Sequence, residues 1–249
     1  AITPRTKAIL PVHFTGKLCD IPKICAIASK HNLSVIEDAA QAFGSYTNGA
    51  FAGSFGDVGT FSFNPMKVLP GYGEAGAVVT DDKEVYNKLL ALRYLGTVDK
   101  EICYYPSLNA KIDTLQAAMM MVNLEHLETN ITRRIEIARY YSTALDDMVG
   151  CPQIPKESSS RSVFFDYTIV TENRDDLQAF LQNNGVETKI KHPILMPEQP
   201  AYDHLPQFNL PVAERIVKRI LSIPIHEKLT MDDVEYVVKC VKSFHNELH

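Results

Sequence analysis

The chain has 249 residues, of which 45% are hydrophobic and 22% are charged, the balance of a globular protein that can bury a sizeable core. Its formal net charge of −5 provides no basic surface for nucleic acid, and no apolar run reaches the roughly 18 residues of a membrane span. The N-terminus lacks the pattern of a signal peptide, so the sequence predicts a cytoplasmic protein.

The cysteines support the same compartment. They are odd in number, scattered and never arranged as CxxC, which predicts reduced thiols rather than a disulfide framework or a zinc site. The five cysteines are Cys19, Cys25, Cys103, Cys151 and Cys240.

The first part of the chain predicts a β-α-β unit. Residues 8–13 form an apolar run, and Asp20 is a candidate N-cap for a helix with Pro22 in its first turn. A second apolar run, 33–37, follows that helix. This order favours two parallel strands joined by a right-handed crossover.

Functional side chains follow the predicted strands of the next segment. The apolar runs 33–36, 58–63 and 75–79 have the length of buried strands. Two acids, residues 37–38, close the first run, and Lys67 follows the second. In open α/β sheets, ligands bind beyond the carboxyl ends of the strands.

Asp38 and Lys67 suit pyridoxal phosphate (PLP) chemistry. A lysine among apolar residues can have its pKa lowered by desolvation, which suits Schiff-base formation. PLP enzymes need such a lysine together with a carboxylate that keeps the pyridine nitrogen protonated. On the pattern alone, a strand-end acid and a surface lysine without any chemistry are the commoner explanation.

Four motifs, in this order and spacing, resemble the DegT/DnrJ-type nucleotide-sugar aminotransferases. These are fold-type I PLP enzymes of the aspartate aminotransferase superfamily, and the resemblance covers essentially the whole chain. It implies an α/β fold with a mostly parallel sheet in a partial PLP-binding large domain (1–150) and a small α+β C-terminal domain (151–249). It also implies that about the first third of a typical member is missing. The motifs are VIEDAAQ (35–41), GSFGD (53–57), FSFNPMK (61–67) and GEAGA (73–77).

The resemblance assigns roles to five residues. Lys67 would bind PLP covalently and transfer protons, and Asp38 would hold the pyridine nitrogen. Gln41 would contact the phenolic oxygen and Ser62 the phosphate, although a helix-surface amide and a buried strand hydroxyl are the structural alternatives. Asn109, in PSLNAKIDTLQAA, would cross a dimer interface to the partner's cofactor phosphate.

Three other positions depart from the family pattern or stay open. Lys111 stands where the family usually has arginine, which keeps the charge but loses the bidentate fork. His192 stands where many members have tyrosine, in a segment that borders the sugar pocket in the family. The identity of the sugar therefore stays open. His192 would either contact the substrate or have only a role in the loop. His13 ends a predicted strand, and a structural histidine is favoured over a site residue.

The remaining predicted elements continue the α/β pattern. Apolar periodicity predicts helices over 83–92, 113–128 and 131–148, then a strand over 163–170, a helix over 173–184, a strand over 186–190, and helices over 209–221 and 232–248.

The resemblance implies an aminotransferase that moves an amino group from glutamate, leaving 2-oxoglutarate, to a keto sugar on a nucleoside diphosphate. Such enzymes serve amino-sugar, polysaccharide or antibiotic-sugar biosynthesis and work as homodimers. A sugar-deoxygenating branch of the fold has histidine at the lysine position, and Lys67 argues against it. Two alternatives stay open: amination of a ketocyclitol, and a catalytically impaired chain that acts as a binding or scaffold protein.

Overall fold

Strands and helices alternate along the first half of the chain, as the spaced apolar runs predict. The computed structural model describes residues 1–99, 101–155, 159–206 and 208–247. The chain divides into two compact units. Unit 1 consists of Ala1–Ile131 and Pro155–Phe165, and unit 2 of Thr132–Ile154 and Asp166–His249. The predicted domain boundary near residue 150 stays a prediction.

The strands are short, whereas the helices run to as many as 19 residues. The strands are β1 (Ala8–Ile9), β2 (Ser34–Asp38), β3 (Tyr46–Thr47), β4 (Ala50–Phe51), β5 (Val58–Ser62), β6 (Gly76–Val79), β7 (Thr97–Val98), β8 (Ile102–Cys103), β9 (Ser160–Arg161), β10 (Tyr167–Val170) and β11 (Ile220–Ile223). The α-helices are α1 (Ile21–Lys30), α2 (Lys83–Arg93), α3 (Thr114–Glu125), α4 (Leu127–Leu145), α5 (Arg174–Asn183), α6 (Pro211–Val217) and α7 (Met231–Glu247). Short 3-10 turns lie at Phe14–Gly16, Met196–Glu198 and Pro200–Tyr202.

A four-stranded sheet in the order β1–β2–β5–β6 forms the centre of unit 1. The pairs β1–β2 and β2–β5 are parallel, and β5–β6 is antiparallel. In this register Glu37 lies opposite Gly59, and Ser62 lies opposite Gly76. The prediction of an α/β fold with a mostly parallel sheet is confirmed.

Helix α1 packs against this sheet through one face. Ile21 and Ala28 are buried and belong to one cluster with Val35 of β2. Pro22 lies in the first turn, where its missing N–H has no partner to lose. Asp20 occupies the N-cap position as predicted, but its side chain makes no capping hydrogen bond to the backbone of the helix. Its carboxylate accepts a hydrogen bond from Lys23 Nζ at 2.5 Å instead.

Two glycines allow the turn after β4 to lie directly on β5. A Cβ atom on Gly59 would lie 2.2 Å from the carbonyl oxygen of Gly53. Gly53 itself has φ +84°, and a Cβ there would lie 2.5 Å from the ring of Phe61. The close approach of the two backbones therefore requires glycine at position 59, and the positive φ favours glycine at position 53.

Unit 2 is built on the antiparallel pair β10–β11. The buried residues Leu177 and Leu181 of α5 and Val241 of α7 contribute to its core. The rings of Tyr141 and Tyr167, also buried, lie with their centroids 5.1 Å apart. None of the helices among the described residues combines the length and apolar character needed to cross a bilayer.

Two predicted strands are shorter in the structure. The strand predicted over 8–13 is limited to β1, and beyond it Val12 forms only an isolated bridge to Asp38. The strand predicted over 163–170 is limited to β10, because Phe164 has φ +47°, a left-handed conformation that interrupts an extended chain.

The other errors lie in unit 2. The strand predicted over 186–190 does not form, since only Lys189 makes a bridge, to Ser222. The helix predicted over 209–221 ends at Val217, and Ile220–Ile223 is strand β11. Pairing with β10 overrides the helical spacing of the apolar residues there.

Helix boundaries also shift. The break predicted near 129–130 lies at His126, between α3 and α4. The final helix reaches Glu247, and its predicted end at Leu248 lies outside the described residues.

Substituting Gly59 with alanine should destabilise unit 1 strongly. The added Cβ meets a backbone carbonyl, which cannot rotate away as a side chain can, so we expect a loss of about 3 kcal/mol or more in the free energy of unfolding. Urea unfolding followed by circular dichroism measures the loss. Gly73→Ala is the control, because its nearest neighbour is a side-chain atom, Gln116 Nε2 at 3.1 Å, rather than the backbone. Equal stability of the two variants would contradict the prediction.

Candidate active site

The strand β2 ends in two acids that have different surroundings. Because side chains alternate along a strand, Glu37 lies on the same face as buried Val35, and Asp38 on the opposite face. The side chain of Glu37 is 0% exposed, whereas Asp38 is half-buried.

The carboxylate of Glu37 makes four hydrogen-bonding contacts with groups of unit 1. Its Oε2 atom lies 2.8 Å from His13 Nε2 and accepts a hydrogen bond from the N–H of Gly53 at 2.9 Å. Its Oε1 atom accepts from the N–H groups of Phe55 and Gly56, at 2.6 and 2.8 Å. One carboxylate therefore fixes the turn after β4 and the segment after β1 to the same strand end.

The geometry also identifies the proton on His13, which is 0% exposed. The backbone N–H of Cys19 donates to His13 Nδ1 at 3.3 Å, so Nδ1 is an acceptor. The ring proton is therefore on Nε2 and is donated to Glu37. This matches the expectation that His13 is a structural histidine.

Hydrogen bonding decides the ionisation of Glu37. Burial by itself would raise the pKa of the Glu37 carboxyl, but the hydrogen bonds from His13 and from three backbone N–H groups outweigh it and hold the pKa below its usual value. The group is thus a buried carboxylate with a structural role.

Asp38 is held at the edge of the sheet by backbone contacts. Its N–H donates to the carbonyl of Pro11 at 2.9 Å, and its carbonyl accepts from the N–H of His13 at 3.0 Å. Its Oδ1 atom accepts from the N–H of Ala40 at 3.0 Å. The carboxylate is therefore fixed in direction and remains partly exposed.

Gln41 supports a tight turn next to Asp38. Its Oε1 atom accepts a hydrogen bond from the N–H of Thr15 at 2.7 Å. Thr15 has φ +59°, and Gly16 after it has φ +90°. The amide of Gln41 thus stabilises a left-handed turn that an L residue adopts at a cost.

Ser62 and Lys67 lie at the end of β5 and in the turn that follows it. The hydroxyl of Ser62 accepts from the N–H of Asn64 at 3.4 Å. The N–H of Lys67 donates to the carbonyl of Asn64 at 2.9 Å. Because β5 is parallel to β2, Asp38, Ser62 and Lys67 follow the same edge of the sheet.

An aromatic ring lies beneath the amine of Lys67. Lys67 Nζ is 4.7 Å from the centroid of Phe165, within cation–π range. Phe165 belongs to the segment that returns to unit 1, and the N–H of Val163 in that segment donates to the carbonyl of Gly16 at 3.2 Å. Sequence reasoning missed Phe165, since no local pattern links it to Lys67.

Asn109 lies on an exposed segment of unit 1. It forms an isolated bridge with Tyr94, and its neighbour Leu108 is 79% exposed. Lys111 Nζ lies 3.8 Å from the centroid of the Tyr94 ring, so this cation packs on an aromatic face. His192, in unit 2, has φ +53° and therefore occupies a strained loop position.

The donor set at the sheet edge fits the cofactor that the resemblance implies. PLP requires an amine, a carboxylate and small polar donors close together. The edge supplies the amine of Lys67, the partly exposed carboxylate of Asp38 and the hydroxyl of Ser62. Ala39, next to Asp38, is small and 0% exposed, so the backbone there can lie close to a flat ring.

Comparison with known proteins identifies the family to which this chain belongs. The model of the DegT/DnrJ/EryC1/StrS aminotransferase family matches residues 1–242. The chain is 38% identical to the "Pleiotropic regulatory protein" of Geobacillus stearothermophilus, over 98% of this chain and 67% of that protein. It is also 38% identical to the UDP-N-acetyl-3-dehydro-alpha-D-glucosamine 3-aminotransferase of Acidithiobacillus ferrooxidans, over 97% of this chain and 65% of that protein.

A solved structure supports the fold. NtdA from Bacillus subtilis, with bound cofactor PMP, superimposes with a TM-score of 0.90 at 30% identity and covers 99% of this chain and 58% of that one. The chain thus spans about two thirds of the length of the curated relatives described above. The predicted fold type I is confirmed by this similarity.

Replacing Glu37 with glutamine should weaken the fold in a pH-dependent way. The folded pKa of Glu37 is lowered, so its stabilising contribution is complete above the ordinary value of 4.5 and is lost as the pH falls through the folded value. At pH 7 the variant should lose about 2 kcal/mol, because four donors then face a neutral amide. Below pH 4.5 the difference from wild type should shrink.

Urea unfolding over a pH series measures this difference. Glu125→Gln is the control, since Glu125 is exposed at the end of α3 and its loss should leave the pH profile unchanged. A Glu37→Gln difference that stays constant with pH would show that the charge of Glu37 does not stabilise the fold.

Proposed function

This chain belongs to the DegT/DnrJ/EryC1/StrS aminotransferase family, and on that premise we propose that it is a PLP-dependent aminotransferase acting on a nucleotide-linked keto sugar. The amino donor is glutamate, which leaves as 2-oxoglutarate. The name of the Acidithiobacillus ferrooxidans relative, an aminotransferase for a UDP-linked dehydro sugar, supports this substrate class. The observation that carries the proposal is the convergence of Asp38 and Lys67 on one edge of the parallel sheet.

The cofactor, when bound, carries the amino group and accepts electrons from the substrate carbon. Lys67 would hold it covalently and, once its amine is released, move the proton to and from the reacting carbon. Asp38 would keep the pyridine nitrogen protonated. Gln41 would contact the phenolic oxygen and Ser62 the phosphate.

The surroundings of these residues suit their roles. Asp38 is fixed by three hydrogen bonds yet partly exposed, so its carboxylate can accept a further partner. The Phe165 ring lies under the amine of Lys67 and therefore helps to retain the side chain at the site before the cofactor binds. Gln41 already uses its oxygen on Thr15, which leaves its NH₂ group as the donor for the cofactor.

The protein would act as a symmetric homodimer in which Asn109 reaches the partner's site. Asn109 is exposed, and its segment presents apolar side chains that a partner would cover, with Leu108 79% and Leu115 74% exposed. An isologous interface would place both copies of Asn109 equivalently.

The working compartment would be the cytoplasm. All five cysteines are free thiols, as expected of a protein in reducing surroundings.

A visible absorption spectrum with added PLP tests the role of Lys67. The wild-type chain should give a new band that borohydride removes, and Lys67→Ala should give none, because this variant lacks the amine that would hold the cofactor. Lys83→Ala is a matched control, since its Nζ also lies over an aromatic ring, 4.6 Å from the centroid of Tyr86. Absence of the band in wild type would favour a binding or scaffold protein.

The acceptor is tested once the band is established. Glutamate should bleach it, and a nucleoside diphosphate keto sugar should restore it. Restoration by a ketocyclitol alone would favour the alternative substrate.

Co-expression of Lys67→Ala and Asn109→Ala chains tests the dimer. If Asn109 acts across the interface, each mixed dimer has one site with both residues intact, and glutamate bleaching should exceed that of either variant alone. Bleaching no greater than that of Asn109→Ala alone would place Asn109 in the site of its own chain.

A further inference from the structure

The turn that carries Lys67 is closed by one asparagine. The Oδ1 atom of Asn64 accepts from the N–H of Met66 at 2.9 Å, and the Asn64 carbonyl accepts from the N–H of Lys67 at 2.9 Å. Its Nδ2 atom donates to Glu74 Oε1 at 2.7 Å. The amide therefore acts as acceptor and donor at once, which a carboxylate or an apolar side chain cannot do.

Glu74 connects this turn to a loop that α3 holds from the other side. Gln116 Oε1 accepts from the N–H of Tyr72 at 2.7 Å, and Gln116 Nε2 donates to the carbonyl of Glu74 at 3.4 Å. Asn123 Nδ2 donates to the carbonyl of Pro70 at 2.8 Å. The loop before Glu74 is thus fixed to a helix, independently of Asn64.

The stretch between Asn64 and Glu74 is anchored in its middle as well. Val68 and Leu69 are buried, at 6% and 4% exposure. The N–H of Gly71 donates to the carbonyl of Phe63 at 2.7 Å. Residues 64–67 lie outside these anchors, so the Asn64–Glu74 hydrogen bond is a direct side-chain link between the Lys67 turn and the fixed loop.

We propose that Asn64 and Glu74 are positioning residues that hold the Lys67 turn in the geometry needed to attach the cofactor. This inference rests on the proposed role of Lys67. The pair acts through the backbone of residues 64–67 and does not itself contact the reacting atoms. Its donor and acceptor are complementary, so exchanging them between the two positions should preserve the function.

Three variants test the pair. Asn64→Asp keeps the acceptor for Met66 but places a second carboxylate against Glu74, so its rate of borohydride-stable PLP attachment to Lys67 should fall on the order of tenfold. Glu74→Gln keeps an acceptor oxygen for Asn64 and should change the rate little. In the double variant Asn64→Asp/Glu74→Gln, the new amide at position 74 can donate to the new carboxylate at position 64 with the same total charge, so the rate should recover.

Hydrogen exchange of the Met66 and Lys67 amides provides a readout that does not depend on the cofactor. Exchange should be faster in Asn64→Asp and return to the wild-type rate in the double variant. Asn32→Asp, in an exposed turn of unit 1, is the control and should leave both measurements unchanged.

The outcomes separate this inference from the proposed function. A wild-type chain without a Lys67-dependent band would overturn the proposed function. It would also overturn the role of the pair in cofactor attachment. The exchange rates would still show whether Asn64 and Glu74 hold the turn. If the band forms, an unchanged rate in Asn64→Asp, or a double variant no faster than Asn64→Asp, would overturn the positioning role. Recovery of both attachment and exchange in the double variant would support it.

Discussion

The fully buried carboxylate of Glu37 is the constraint on which the candidate site depends. A buried charge is stable only when hydrogen bonds replace its lost hydration, and here one imidazole and three backbone N–H groups do so. These donors come from two separate segments, one after β1 and one after β4. Satisfying Glu37 therefore brings both segments to the end of β2. Since side chains alternate along the strand, it also directs the next residue, Asp38, to the opposite face.

Much of this arrangement could be predicted from local patterns. Apolar runs closed by polar residues indicated β2 and β5, and the β-α-β order of the first elements indicated that β1 and β2 are parallel. The pattern could not distinguish Glu37 from Asp38 by role, because both acids simply close the same apolar run. The boundaries that failed involve competing tertiary contacts. Ile220–Ile223 has helical spacing yet pairs with β10, and the left-handed Phe164 stops a run that reads as strand.

Contacts between distant parts of the chain were beyond prediction because they leave no periodic signal. The ring under Lys67 and the amide of Gln116 are examples, since each contacts a loop far from it in sequence. Unit 2 also contains a buried carboxylate that is stabilised by distant groups. Asp166 forms an ion pair with Lys191 and accepts hydrogen bonds from Thr168 and Ser222. In both units, one buried acid makes hydrogen bonds or an ion pair to segments that are distant from each other in sequence.

The return of Pro155–Phe165 to unit 1 has a consequence for the order of folding during synthesis. The chain leaves unit 1 after Ile131 and comes back at Pro155, after the whole of α4 has been made. A ribosome releases the Lys67 turn and its whole sheet well before it releases Phe165 and β9, which pairs with β3. Unit 1 therefore cannot complete its contacts as the first part of the chain emerges. The early steps of folding proceed before Phe165 is available to pack against the amine of Lys67.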